Sequence, residues 1–179
     1  MKYLFSFFTF LAVTATGVCA QNTKATSVYT SLSAGRCQVV KTDGETGGST
    51  RRCPGAGGYS LLVLDDDERM SVTIVSPDKK EYPLEYWSVV TGAFSTLGAK
   101  AEWRVVKEKG KIVPIALIVR VNATTEENPG KPQKKSFLAV AKITSDSVCV
   151  TEKIDFVSNA NQQARRAADG SAAKACLQP

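Results

Sequence analysis

The sequence predicts a mainly β, small single-domain protein, an antiparallel barrel or sandwich with one or two short helices. Segments rich in β-branched and aromatic residues recur roughly every ten residues, and turn-forming residues separate them. Alternation of apolar and polar residues is clearest over residues 69–75, and only the C-terminal region has a strongly helical composition. An α+β arrangement is the alternative fold class.

The N-terminus is typical of an export signal. Lys2 precedes an apolar run that is shorter than the ~20 residues needed to cross a bilayer, and small residues follow it up to Ala20. Residues 1–20 are therefore expected to be a signal peptide, cleaved between Ala20 and Gln21. A lipidated Cys19 is the alternative, because this cysteine ends the apolar run. Export predicts a periplasmic or extracellular location.

The predicted strands follow in order along the mature chain. Residues 21–27 are polar and expected to be a flexible N-terminus, and residues 28–179 are expected to form the single β-rich domain. Besides residues 69–75, strands are predicted at residues 28–32, 37–41, 59–64, 101–106, 112–122, 136–144 and 148–154. The sequence SPDKKEYP predicts a turn after residue 75.

Three other segments are assigned by composition. Residues 84–97 are ambiguous between strand and helix, and the spacing of their apolar residues favours a short helix over residues 88–97. The polar stretch TTEENPGKPQKK, residues 124–135, predicts a long loop. Alanine and arginine over residues 160–169 predict a C-terminal helix, on which Arg165 and Arg166 are expected to face solvent.

The cysteines predict two disulfide bonds. Loss of Cys19 with the signal peptide leaves an even number in an exported chain, namely Cys37, Cys53, Cys149 and Cys176. A hairpin folded at Glu45 places Cys37 directly opposite Cys53, at the separation that a disulfide requires. The expected pairs are 37–53 and 149–176.

Three phrases are distinctive: RRCPGAGGYSLLV, FSTLGAKAEWR and NANQQARRAADG. In these the chain resembles secreted bacterial proteins of unknown function. The resemblance spans most of the mature chain and implies a bacterial, exported origin. It carries over no functional residue.

The composition excludes several kinds of catalysis. The chain contains no histidine, which removes histidine-dependent nucleophilic machinery and most transition-metal sites. Thiol catalysis is excluded if all four mature cysteines are oxidised. We therefore expect no catalytic residues, no metal and no cofactor. The formal net charge of +6 is mild and scattered, which argues against a nucleic-acid partner.

Three motifs that suggest ligands are interpreted as structural. The glycine-rich STRRCPGAGGYS, residues 49–60, precedes a strand rather than the helix that a phosphate loop needs. The SPDK sequence, residues 76–79, lies in a turn, unlike the helical serine–x–x–lysine motif of penicillin-binding enzymes. The acidic run at residues 65–68 has no calcium-loop spacing and is predicted to be a solvated hairpin turn.

Aromatic and arginine residues supply a candidate binding surface. Its members are Tyr82, Tyr86, Trp87, Trp103, Arg51 and Arg52. Burial of the aromatic rings in the core is the alternative and is favoured.

The predicted function is a non-catalytic, disulfide-stabilised binding module for an exported-compartment protein or a cell-envelope glycan. One alternative is a small envelope-glycan hydrolase that uses Glu85 and Glu102 beside the tryptophans. Another is a structural accessory protein without its own ligand. No transmembrane segment is expected after cleavage of the signal peptide.

Overall fold

The computed structural model describes residues 24–45, 47–128 and 130–179. Strands make up 56% of the described residues and helices 13%, which confirms the predicted mainly β class. The predicted signal peptide, its cleavage site and Cys19 lie outside the described residues.

The described residues form ten strands and two α-helices. The strands are β1 Thr26–Ser31, β2 Gln38–Thr42, β3 Ser49–Pro54, β4 Ser60–Asp66, β5 Arg69–Val75, β6 Glu81–Pro83, β7 Ser95–Glu108, β8 Lys111–Asn128, β9 Lys131–Ile143 and β10 Val148–Asp155. The helices are α1 Tyr86–Val89 and α2 Ala160–Asp169, with short 3-10 turns at Ala34–Arg36 and Ser171–Ala173.

All ten strands belong to one hydrogen-bonded sheet. Its order is β10-β9-β8-β7-β5-β4-β3-β2, with β1 paired to β7 and β6 paired to β5. The pairings are antiparallel except for a single parallel pair, Arg69 with Ser95, where β5 meets the start of β7. The sheet is not closed, so of the predicted arrangements a complete barrel does not form.

The two faces of the sheet bury different clusters. The main core contains Trp103, Leu61, Ile74 and Leu117, together with Tyr86 from α1. On the other face, α2 packs against β8 and β9. Its buried alanines, Ala160, Ala164, Ala167 and Ala168, contact Ala116, Ile118, Leu138 and Val140. Small side chains allow the helix to lie close to the strands, and the predicted C-terminal helix at residues 160–169 is confirmed.

Both predicted disulfides are confirmed. The Cα atoms of Cys37 and Cys53 are 4.4 Å apart, and those of Cys149 and Cys176 are 5.7 Å apart. The β2–β3 hairpin has the expected register next to the first bond, where Gln38 pairs with Arg52. A bulge beyond Val39 then shifts the rest of the register.

The loop predicted at residues 124–135 is wrong. Strands β8 and β9 instead continue through most of it as a two-stranded ribbon, paired as far as Asn128 and Lys131. Gly130, with a φ of +73°, lies in the tight turn that joins them. Continuous backbone pairing therefore outweighs the polar composition of the segment.

The helix predicted over residues 88–97 is also wrong in extent, because α1 ends at Val89. Instead, the backbone of Phe94 and Ser95 forms hydrogen bonds with residues of other parts of the chain. The Ser95 N–H donates to the Glu68 carbonyl at 2.8 Å, and the Thr124 N–H donates to the Phe94 carbonyl at 2.9 Å. These sheet bonds override a local apolar spacing that suits a helix.

The N-terminal strand begins earlier than predicted. Strand β1 starts at Thr26, which pairs with Val105 of β7, so the end of the segment predicted to be flexible is ordered. The Ala25 carbonyl also accepts a hydrogen bond from Arg104 at 2.9 Å. Pairing with a distant strand holds residues that have little local preference for structure.

Candidate functional site

The predicted aromatic and arginine surface is not assembled. Trp103 and Tyr86 lie in the main core, with 0% and 1% of their areas exposed, so neither is available to a ligand. Trp103 alternates inward on β7, and its Nε1–H donates to Thr30 Oγ1 at 2.9 Å. Tyr82, Arg51 and Arg52 are half-buried. Among the six residues Trp87 alone is exposed.

The glycine-rich loop at residues 49–60 packs against the core. A Cβ atom at Gly55 would lie 2.8 Å from Trp103 Cζ2, and one at Gly57 would lie 2.6 Å from Pro114 Cδ. Gly57 also has a φ of +59°, which favours glycine. Strand β4 follows the loop directly. The glycines therefore allow a close approach of backbone to core beside the Cys37–Cys53 bond.

Glu102, a candidate carboxylate of the hydrolase alternative, is bound by an arginine. Arg165 Nε donates to Glu102 Oε1 at 2.6 Å and Arg165 Nη2 donates to Oε2 at 3.2 Å, while the Ser27 hydroxyl donates to Oε1. Arg165 was expected to face solvent; its side chain is 42% exposed, but its guanidinium is bound to Glu102 rather than free. Arg166 is exposed, as expected.

The electrostatics of Glu102 do not suit a general acid. Burial raises the pKa of Glu102, but the hydrogen bonds from Arg165 and Ser27 and the charges of Arg165 and Arg104 outweigh it, so the pKa lies below its usual value. A catalytic acid needs a raised pKa. Glu85 is exposed next to α1, whose Tyr86 packs in the main core, whereas Glu102 pairs with the helix on the opposite face.

The depressed pKa of Glu102 predicts a pH-dependent contribution to stability. At neutral pH we expect Glu102→Gln to lower the free energy of unfolding by about 1–3 kcal/mol, because charge-assisted bonds are lost. A carboxyl with a depressed folded-state pKa contributes fully above its unfolded value and loses that contribution as the pH falls through the folded value. Urea unfolding at several pH values should therefore show the difference between wild type and variant shrinking on acidification below 4.5. A difference that stays constant would contradict this assignment.

A second arginine connects the same elements in the opposite direction. Arg104 Nε donates to Asp169 Oδ1 at 2.7 Å and its Nη2 donates to Oδ2 at 2.9 Å. In one pair the arginine lies on β7 and the carboxylate on α2, and in the other the arginine lies on α2 and the carboxylate on β7. Together the two pairs hold α2 against β7, next to β1. This network is structural. The sequence carries a signal of this network. Arg165 and Asp169 are spaced i, i+4 and so share one face of a helix, while Glu102 and Arg104 are spaced i, i+2 and so share one face of a strand.

The predicted acidic hairpin turn is present between β4 and β5. Asp67 and Glu68 form it, and together with Asp65 and Asp66 at the end of β4 they are called the acidic turn below. Its central residues Asp67 and Glu68 have φ angles of 47° and 55°, as in a tight type I′ hairpin. Asp67 pairs with Arg69, and within the described part of the chain the other three carboxylates have no ion pair. Across those same residues, no group of three or more metal-ligating side chains is present.

Surface clefts border the acidic turn on two sides. The Trp87 cleft, about 390 Å³ in volume, is lined by Asp66, Asp67, Arg69, Trp87 and Gly92. The Ser95 cleft, about 700 Å³, is lined on its acidic side by Asp65 and Glu68. Its other walls include Met70, Phe94, Ser95 and Lys134. Acidic groups thus face two adjoining depressions.

Exposed aromatic rings flank the acidic turn. Trp87 is 38% exposed and Phe94 is 50% exposed. The Arg69 guanidinium lies 5.2 Å from the centre of the Phe94 ring and donates to the Gly92 carbonyl at 3.1 Å, which fixes this connection beside the turn. We call the acidic turn with Trp87 and Phe94 the acidic–aromatic surface. Sequence reasoning found the turn and Trp87 but missed Phe94, which it placed only in the predicted helix over residues 88–97.

Ser95 is unusual within its cleft. The residue is 3% exposed, yet its Oγ has no hydrogen-bond partner among residues 24–45, 47–128 and 130–179. Buried hydroxyl groups in proteins are normally paired. The backbone N–H of Ser95 is paired, since it donates to the Glu68 carbonyl, and the residue also lies opposite Ala123 of β8.

Comparisons of the chain with protein-family models, with curated proteins and with solved structures gave no match. The resemblance to secreted bacterial proteins accordingly stays a prediction. In the described ranges, no helix has both the length and the apolar character needed to cross a membrane.

Proposed function

We propose that the protein is a non-catalytic binding module of the periplasm or extracellular space that binds a positively charged segment of a partner protein. The acidic–aromatic surface carries this proposal. It combines three carboxylates that form no ion pair with any described residue, two exposed aromatic rings and adjoining clefts.

The charge distribution supports a cationic partner. The chain as a whole is basic, with a sequence pI of about 9.1, whereas four acidic residues follow one another in the acidic turn. A cation at this surface would gain Coulomb attraction to the carboxylates and cation–π attraction to the rings. A neutral glycan would use the rings but not the concentrated negative charge, so a basic protein segment fits better.

The disulfides support the exported location. Disulfide bonds persist in oxidising compartments and are rare in the reducing cytosol, and both pairs of mature cysteines are bonded here. The predicted signal peptide points to the same compartments.

Peptide binding tests this proposal. Residues 21–179 should bind a fluorescent lysine- and arginine-rich peptide but not an acidic peptide of equal length, with anisotropy as the measurement. We expect Asp66→Asn with Glu68→Gln to weaken binding about tenfold, because each lost charge contributes roughly 0.5–1 kcal/mol. Asp146→Asn, an exposed carboxylate in the β9–β10 connection, is the matched control and should leave the affinity unchanged.

Three results would contradict the proposal: no binding of the basic peptide, equal binding of the acidic one, or equal loss in the Asp146 control. Binding of a peptidoglycan fragment that does not depend on the acidic turn would favour the glycan ligand instead.

A further inference from the structure

The last residues of the chain return to the outer edge of β10. Strand β10 ends the sheet order on one side, and the segment after α2 and its 3-10 turn runs back to it. The Leu177 N–H donates to the Val150 carbonyl at 2.8 Å, and the Leu177 side chain packs against the main core. We call residues 174–179 the C-terminal strap. The strap covers part of the edge of β10.

One covalent bond and two further polar contacts hold the strap. Lys142 Nζ donates to the Lys174 carbonyl at 2.8 Å, and the Lys174 side chain forms an ion pair with Glu152 of β10. The Cys149–Cys176 bond joins the strap to β10. A hydrogen bond or a partly exposed ion pair stabilises only weakly, whereas ordering the strap costs conformational entropy at every residue. The disulfide is therefore expected to decide whether the strap stays in place.

The two disulfides differ in the surroundings of their sulfur atoms. Ser147 Oγ lies 3.7 Å from Cys149 Sγ and 3.6 Å from Cys176 Sγ, so its O–H can donate to whichever sulfur leaves as a thiolate. Both of these cysteines are half-buried. Attack on the Cys37–Cys53 bond must either reach Cys53 or expel it as a thiolate. Cys53 is 0% exposed and belongs to the main core, where a thiolate would lose its hydration.

We infer that the Cys149–Cys176 bond is a redox switch, whose reduction releases the C-terminal strap and opens the edge of β10. This switch does not depend on the proposed partner. In the reduced protein, the Val150 carbonyl and its neighbours on that edge become available for other hydrogen bonds.

The reductant is a dithiol, the reactive group of thiol–disulfide oxidoreductases. One of its thiolates attacks a sulfur of the Cys149–Cys176 bond, the S–S bond breaks, and the other cysteine leaves as a thiolate that takes up a proton. The second thiol of the reductant then displaces the first cysteine from the mixed disulfide. The protein gains two electrons and two protons, and the dithiol is oxidised to a disulfide.

The remainder of the fold has its own fastenings, so release should be local. Helix α2 is held by the Glu102–Arg165 and Arg104–Asp169 pairs, and its alanines pack on β8 and β9. The Cys37–Cys53 bond joins the ends of the β2–β3 hairpin. None of these contacts involves the strap.

Stepwise reduction tests the order in which the two bonds open. Oxidised protein, residues 21–179, would be titrated with dithiothreitol, trapped with iodoacetamide and mapped by mass spectrometry of its peptides. We expect Cys149 and Cys176 to be alkylated at a dithiothreitol concentration at least about tenfold lower than Cys37 and Cys53.

Two serine variants test the role of the hydroxyl beside the bond. Ser147→Ala should slow reduction of the Cys149–Cys176 bond about threefold, because the leaving thiolate loses a hydrogen-bond donor. Ser145→Ala is the matched control in the same turn. Its hydroxyl donates to Asp146, so its loss should leave the reduction rate unchanged. Equal rates for Ser147→Ala and wild type would remove the serine from the switch.

Amide hydrogen exchange measured by NMR tests the release itself. After selective reduction, we expect the Leu177 amide to exchange at least about tenfold faster, while the amide of Val140 inside the sheet keeps its rate. Cys149→Ser with Cys176→Ser should show the same fast exchange without reductant. Cys37→Ser with Cys53→Ser is the matched control and should keep Leu177 protected. Simultaneous reduction of both bonds, or a Leu177 amide still protected after the Cys149–Cys176 bond is cut, would overturn the inference.

Discussion

Replacement of Arg104 by alanine is expected to lower the free energy of unfolding by about 2 kcal/mol, because the change removes the charge-assisted hydrogen bonds between a buried guanidinium and a partly exposed carboxylate. The Arg104 side chain is 9% exposed and donates to both carboxylate oxygens of Asp169. It also donates to the Ala25 carbonyl ahead of β1. Its loss therefore loosens the contact between the C-terminal helix and the N-terminal strand.

Equilibrium urea unfolding measures this effect, with Arg166→Ala as the matched control. Arg166 is exposed on α2, the helix that carries Asp169. Its replacement should change the free energy of unfolding by no more than about 0.5 kcal/mol. A double-mutant cycle with Asp169→Asn isolates the pair, and the two changes together should cost less than their sum. Equal effects of Arg104→Ala and Arg166→Ala would contradict the structural role of the network.

Trp103→Ala is expected to lower the free energy of unfolding by about 3–5 kcal/mol, the range for removing a large aromatic side chain from a packed core. The indole is fully buried, and its ring centre lies 6.1 Å from that of Tyr59. Its Nε1–H is bonded to Thr30, so truncation also leaves a buried hydroxyl without its donor. The substitution affects the core, the glycine-rich loop and β1 together.

Trp87→Ala provides the comparison for Trp103, since Trp87 is exposed beside the acidic turn. Its effect on stability should stay below about 1 kcal/mol. Under the proposed function, Trp87→Ala should nevertheless weaken the binding of a basic peptide. Trp103→Ala, a change in the core, does not test that binding directly. Similar losses of stability in the two variants would contradict the placement of one tryptophan in the core and the other at the surface.

Features set by local pattern were predictable from the sequence. The Cys37–Cys53 bond followed from folding one short segment on itself, and the helix at residues 160–169 followed from its composition. Strand β5 was predicted within its observed bounds because one of its faces is apolar. In each case the decisive interactions lie within a short stretch of chain.

Features set by distant pairing were not predictable. The order of Thr26 and Ser27 depends on β7, and the exposure of Arg165 depends on Glu102, 63 residues away. Strand β6 ends at Pro83, and Glu85, with a φ of 44°, precedes the short helix α1. Tyr86 is thereby directed into the core.

The candidate site shows the same division. The acidic turn was evident in the sequence as a solvated hairpin between two strands. Phe94 and Ser95 beside it reach the turn through the single β5–β7 pairing. No local pattern indicates that pairing, nor that the Ser95 hydroxyl is buried without a partner.

Chemical-shift mapping by NMR tests the central claim, that cationic partners bind the acidic–aromatic surface, most directly. Residues 21–179, labelled with ¹⁵N, would be titrated with the lysine- and arginine-rich peptide. We predict that the largest amide shifts cluster at Asp65–Glu68, Phe94 and Ser95, together with the indole N–H of Trp87, and that an acidic peptide leaves them unchanged. Shifts centred on another face of the sheet, or the same shifts with the acidic peptide, would contradict the claim.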